Sequence, residues 1–355
     1  MIMKKKRDLS ADYLRAIAML LVVMGHTIAN SNLTGYENSL LFKIIWALQM
    51  PLFMVVSGYV TFFAKPMASF HDLVKYIQKK SLTLLFPWGV WTIGVRGFLL
   101  GGWTAHNFLQ KIIHLLWHMD SGYWFLTSLW SIQMLWGIAE FVCRKAFPGN
   151  ALSKAFFTAA VTALLSSVLL ITGFFAGFSF CGIKLSCYYL PFFLLGCVFP
   201  HFRSALSGKK GYALWERMIV CVLLIVFSFL LFSYNFYTAG DSVLTILMRI
   251  ICSVSGCAVL AYCVHYLQSE RFRKEKTALL WIGSHTLELY LCHSLFLGII
   301  DGGGAMLNSM AGTAVAIANF FITLLLSCAA AALLGRNRYT GLIFFGKFAV
   351  SNKEK

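Results

Sequence analysis

Ten apolar runs recur along the 355-residue chain, near 10–30, 39–63, 81–100, 122–143, 155–173, 185–200, 218–236, 244–267, 279–299 and 305–334. Runs of roughly 17 to 25 residues are long enough to cross hydrocarbon as helices. The connections between them are short, the longest being 64–80, 101–121, 201–217 and 268–278. The pattern predicts an all-α polytopic membrane protein of about ten transmembrane helices, built as a single integral membrane domain over residues 1–355. In the connection 101–121, Phe108, Ile112, Leu115 and Leu116 recur at helical spacing around Lys111. That spacing predicts a helix lying in the interface, which could also lid an outward-facing site.

Composition agrees: 59% of residues are hydrophobic and only 12% are charged, against about 25% charged in soluble domains. The net charge of +17 is mostly a topology signal. With the N-terminus inside, most of the 30 Lys and Arg residues fall on one side, including Lys4, Lys5, Lys6, Arg7, Lys75, Lys79, Lys80, Arg144, Lys145 and Arg203. Positive residues mark cytoplasmic connections, so both termini are expected to be cytoplasmic. The same charge can attract anionic headgroups or an anionic cytosolic ligand. No nucleic-acid partner is expected, because no binding module or basic surface interleaved with aromatics is present. Asp12 and Arg15 interrupt the first apolar run, so it reads as a retained span and not as a cleaved signal. Most cysteines lie inside spans as small apolar residues; Cys181 and Cys187 alone lie near the outer face, where a disulfide could form. No Cys/His spacing resembles a metal site.

Polar residues inside the spans carry the functional signal. A charge in hydrocarbon costs roughly 2.5 to 3.5 kcal/mol on insertion scales, so such groups persist where they face a protein interior or a wet cavity. The first span, DYLRAIAMLLVVMGHTIAN, holds Arg15 and His26. Eleven residues at about 100° each bring them within roughly 20° of one direction, about 16 Å apart along the axis. Asp12 and Met19 lie near the same stripe, and His26 is expected to be deeply buried. The ninth span, LLWIGSHTLELYLCHSLF, places His285, Glu288 and Cys292 at i, i+3 and i+7, with His293 one position further round. A mid-membrane Glu288 must be protonated or paired with a cation such as Arg15, Arg96 or Arg249. His293, near the outer end, is either part of a site or a structural hydrogen-bonding group. Trp124 opens the fourth span in SGYWFLTSLW, where an aromatic belt is the plainer reading. Lys75, Lys79 and Lys80 precede the third span, which contains Pro87.

The order of these elements resembles the membrane acyltransferase 3 family. Its Arg-x10-His signature reads here as DYLRAIAMLLVVMGH, followed by MPLFMVVSGY, a basic segment before LLFPW, YWFLTSLW, YYLPFFLLGCVF and IGSHTLELYLCH. The similarity covers about residues 8 to 295, and the MPLF and SGY strings are similar to fucose 4-O-acetylase-like sugar acetyltransferases. The resemblance implies an O-acyltransferase of the bacterial cytoplasmic membrane. Its donor would be cytosolic acetyl-CoA or another acyl-CoA, and its acceptor a hydroxyl of a surface polysaccharide or lipid-linked sugar. Two departures stand out. The family often has an Arg-x-x-Arg type motif before the third span, where this chain has Lys75, Lys79 and Lys80, and lysine lacks the bidentate fork. Nor is a soluble esterase-like domain expected after the last span.

Acyl transfer to a hydroxyl needs a base, a group that stabilises the oxyanion and shelter from water. His26 would be that base, acting on the acceptor directly, or it would carry the acyl group itself. Arg15, with Asp12 as ion-pair partner, would meet the donor's phosphates or orient the thioester. The three lysines would attract the nucleotide end of CoA, or serve topology alone. A transporter or flippase for a sugar-lipid would also place charges at mid-membrane on broken helices, although no internal repeat supports it.

Overall fold

The computed structural model describes residues 9–347 apart from 102, 105, 120, 121, 148, 178–181, 210 and 268–276. Lys4, Lys5, Lys6, Arg7, Asp120 and Cys181 therefore lie outside the described residues. Thirteen helical segments follow one another, with no strand among the described residues. They are α1 (Leu9–Asn30), α2 (Leu40–Thr61), α3 (Phe70–Leu100), α4 (Phe108–Trp117), α5 (Trp124–Ala146), α6 (Ala151–Ala176) and α7 (Ile183–Leu206). Then come α8 (Tyr212–Ser233), α9 (Val243–Leu267), α10 (Thr277–Ser284), α11 (Thr286–Cys292), α12 (Met310–Arg336) and α13 (Arg338–Phe345). Among the described residues, nine helices are long and apolar enough to cross a membrane. The protein is an all-α polytopic membrane protein.

The expected ninth span departs from a single continuous helix. It divides at His285 into α10 and α11 and closes in a 3-10 turn, His293–Leu295. At the break, His285 Nδ1 bonds the Trp281 carbonyl at 2.9 Å and its ring stacks on the Trp281 indole at 4.3 Å. The same carbonyl still accepts the His285 amide at 3.0 Å, an amide shared with the Ile282 carbonyl at 3.1 Å, so the last turn of α10 tightens before the helix divides.

The chain forms two compact units. The first comprises residues 1–57 and 206–331. Its centre is α1, whose apolar window is the most buried of the nine. A Cβ on Gly283 of α10 would collide with the Asp12 carbonyl of α1, so the two backbones touch there and only glycine fits. Near the C-terminal end of α1, Ile28, Leu33, Phe42, Ile45, Leu307 and Ala316 form a core cluster. Asn319 of α12, fully buried, seals that end by bonding Ser31 Oγ at 2.7 Å and both backbone groups of Ile300.

The second unit comprises residues 58–205 and 332–355. Here α3 starts in a capping box between Ser69 and Asp72 and continues from the basic segment into the membrane as one 31-residue helix. It widens into π-helical turns at Ser81–Leu85 and Val90–Leu100. Pro87 offers no amide hydrogen and its ring crowds the carbonyl of Thr83, so the regular ladder cannot persist on either side of it. Helix α5 runs antiparallel to α3: Gly137 meets the Tyr76 ring, Trp130 Nε1 donates to Ser81 Oγ at 2.9 Å, and Tyr123 meets Trp91. The predicted interfacial segment is α4. Its Leu109, Ile113, Leu116 and Trp117 are exposed while Leu115 is buried, as befits a helix lying along an apolar boundary.

Candidate active site

Helix α1 displays two kinds of accessible position. Ile17, Leu20, Leu21 and Met24 are partly accessible and lie between about 140° and 240° round the helix from Arg15. Arg15 and His26 are accessible on the opposite side. Around them Ala11, Asp12, Ala18, Met19 and Val22, within about 60° of Arg15, are all buried. Leu21 and Met24 pack against the Ile28 core cluster, whereas accessible polar residues within a span are expected to face a protein interior or water. His26 is thus reached by solvent while enclosed by protein, in keeping with the depth that its position in the span suggests.

Two contacts organise this face. Arg15 Nη1 lies 3.5 Å from Asp12 Oδ1, one turn away, and Asp12 is 3% exposed. Eleven residues further on, the His26 ring sits 5.2 Å from the ring of His293, centroid to centroid. His293 is itself 3% exposed, and its Nδ1 donates to the Tyr290 carbonyl at 2.7 Å, with Leu289 O at 3.3 Å. A carbonyl accepts only, so the proton of neutral His293 resides on Nδ1 and its Nε2 carries a lone pair. Glu288, on α11, is equally buried. Of the cations considered for it, Arg249 meets Asp241 at 3.4 Å and Arg96 lies over the Tyr123 ring at 5.7 Å.

Asp12, Arg15, His26, Glu288 and His293 therefore belong to the first unit, and the remaining candidates to the second. Lys75 and Lys79 are exposed, and Lys80 Nζ lies 5.5 Å from the Tyr76 ring centre. Trp124 stacks on Tyr189 at 5.2 Å. Because α3 and α5 are antiparallel, Trp124 and the lysines occupy opposite ends of that unit. Cys187 is a thiol 3.1 Å from Ser166 Oγ. Among the described residues, no three His, Cys, Asp or Glu side chains gather as metal ligands.

Sequence reasoning passed over a polar group inside the second unit. The Met67 amide donates to Glu140 Oε1 at 3.5 Å, and Thr61 Oγ1 donates to Cys197 Sγ at 3.3 Å. The nearby signal was Gln133 and Glu140, seven residues apart in WSIQMLWGIAEF and so on one helix face.

A profile described as an acyltransferase domain, that of the acyltransferase 3 family, matches residues 8–335. The chain belongs to that family. Among curated proteins, this acyltransferase is 26% identical over 321 residues to the nodulation protein NolL of Sinorhizobium fredii (strain NBRC 101917 / NGR234), covering 83% of this chain and 79% of that protein. It is 25% identical over 237 residues to NolL of Mesorhizobium japonicum (strain LMG 29417 / CECT 9101 / MAFF 303099), covering 64% and 56% respectively. No solved structure matches. The motif resemblance thus extends over nearly the whole chain, and the protein is an integral membrane acyltransferase.

Proposed function

We propose that this acyltransferase moves an acetyl group from cytosolic acetyl-CoA to a hydroxyl of a surface polysaccharide or lipid-linked sugar precursor, in the bacterial cytoplasmic membrane. The observation that carries the proposal is the pair of accessible polar groups, Arg15 and His26, on the enclosed face of α1. His26 accepts the proton of the attacking hydroxyl, whose oxygen forms the new bond to the thioester carbonyl carbon. The carbon–sulfur bond then breaks, and the CoA thiolate leaves with the proton that His26 gained. Arg15, about 16 Å nearer the cytoplasm, meets the donor's phosphates or orients its thioester, with Asp12 holding the guanidinium. Lys75, Lys79 and Lys80 raise the local concentration of the polyanionic donor.

The test is transfer of radiolabelled acetyl from acetyl-CoA by purified protein in liposomes supplied with a lipid-linked glycan extract. Wild type is expected to label the glycan and His26→Ala is expected not to. Transport of the sugar-lipid with no labelled product from wild type would overturn the proposal in favour of a flippase.

A further inference from the structure

Gly25 and His26 are neighbours on α1, about 1.5 Å apart along its axis and about 100° apart round it. Counted from Arg15, His26 lies at about 20°. Asp12, where α10 touches α1, lies at about 60° on the same side, and Gly25 at about 80° on the other. A Cβ on Gly25 would come 2.8 Å from Ile45 Cγ2 and 3.0 Å from Gln49 Oε1, both of α2. Glycine thus lets the Gln49 amide reach α1 at the level of His26. The accessible His26 side chain leaves α1 between the direction of α10 and the direction of α2, and Gln49 stands on the α2 side.

Gln49 is 8% exposed, and its Oε1 is buried with no hydrogen-bond partner. Inside a span no bulk water compensates a lone carbonyl, and buried polar groups are almost always bonded. An apolar side chain of the same length would fill this space at lower cost. A carbonyl oxygen only accepts, so its missing partner is a donor such as the O–H of a sugar, and not a phosphate or a thioester oxygen. We propose that Gln49 is a specificity-determining residue for the acceptor: its Oε1 accepts the hydroxyl next to the one that His26 deprotonates. This rests on the acetyl-transfer reading above. A sugar carries hydroxyls on neighbouring carbons, so holding one of them selects which other faces the base. The bond exists before and during transfer, and its loss therefore falls on KM and not on kcat.

Gln49→Met keeps the length of the side chain and removes the acceptor atom, while Gln49→Glu keeps an oxygen in the place of Oε1. Both are purified as full-length proteins and reconstituted in liposomes beside wild type and His26→Ala. Transfer of radiolabelled acetyl to the lipid-linked glycan extract and thermal unfolding are recorded. In Gln49→Met the KM for glycan is expected to rise about five- to tenfold, with kcat and the KM for acetyl-CoA as in wild type. The same variant should melt at or above wild type, because an uncompensated polar group has been removed. Gln49→Glu should recover most of the glycan KM. A wild-type glycan KM in Gln49→Met, a raised KM for acetyl-CoA in its place, or no recovery in Gln49→Glu would overturn the proposal. So would a Gln49→Met protein that melts well below wild type or does not fold, since the amide would then be a structural prop. Wild type that transfers no acetyl, or His26→Ala that transfers normally, would instead remove the reading on which the proposal stands, and the proposal with it.

Discussion

Replacing Gly283 with alanine adds one methyl group where α1 and α10 touch backbone to backbone. A real Cβ keeps 3.0 Å or more from its neighbours, and here it would meet the carbonyl oxygen, carbonyl carbon and Cα of Asp12. None of these is the end of a flexible side chain, so the helices must part by about 1 Å. Overpacking of this kind costs typically 1–3 kcal/mol, roughly a few degrees in Tm for a chain of this size. Activity is expected to suffer more than stability. Asp12 holds Arg15, and a misplacement of about 1 Å in a reacting assembly can cost on the order of a hundredfold in rate. The assay is acetyl transfer and thermal unfolding of Gly283→Ala in liposomes, with Gly256→Ala as comparison. At Gly256 the nearest atoms to the added methyl belong to the Phe227 and Leu48 side chains, which can shift where a backbone cannot. Wild-type transfer and melting in Gly283→Ala, or greater damage in Gly256→Ala, would refute the reasoning.

Arg15→Gln should lower kcat/KM for acetyl-CoA by about ten- to a hundredfold, a charge-assisted contact being worth about 1.5–3 kcal/mol, and Arg15→Lys should recover only part of it; steady-state kinetics decides. Changing Lys75, Lys79 and Lys80 together to Gln should raise KM for acetyl-CoA and flatten its salt dependence without altering kcat, measured between low and physiological ionic strength. The Asp301 carboxyl is held below its ordinary value by the Gly303 amide and the Asn32 side chain. Its ionised form therefore favours the folded loop above the ordinary carboxylate range, near 4, and that contribution is lost on acidification through the lowered value. Amide exchange at Gly303 should speed up below about pH 4 relative to neighbouring helices once intrinsic rates are corrected, and remain slow from about pH 5 to 8.

The spans, their number to within the one that breaks, and the stripe joining Asp12, Arg15 and His26 were all legible in the sequence, because hydropathy and helical angle are local quantities. What stayed hidden depends on partners. The division at His285, with its ring stacked on Trp281, and the solvent access of His26 are both matters of three-dimensional packing. His293 could be flagged as polar and near the outer end, but its nearness to His26 joins residues far apart in sequence. The helical continuity of Lys75, Lys79 and Lys80 with the third span was likewise hidden by their charge, which reads as a connection. The bonds of Glu140 to Met67 and of Cys197 to Thr61 likewise arise only from packing between elements far apart in sequence.

The contact at Gly283 and the ring pair at His293 give the stretch between them a fixed length. Residues 284–292 act as a ruler whose two ends are both engaged with α1. Removing or adding one residue there would swing everything beyond it by about 100° and shift it by about 1.5 Å, turning His293 away from His26 while leaving every span intact by hydropathy. Substitutions along the ruler are a matter of degree, but a change in its length is all or nothing.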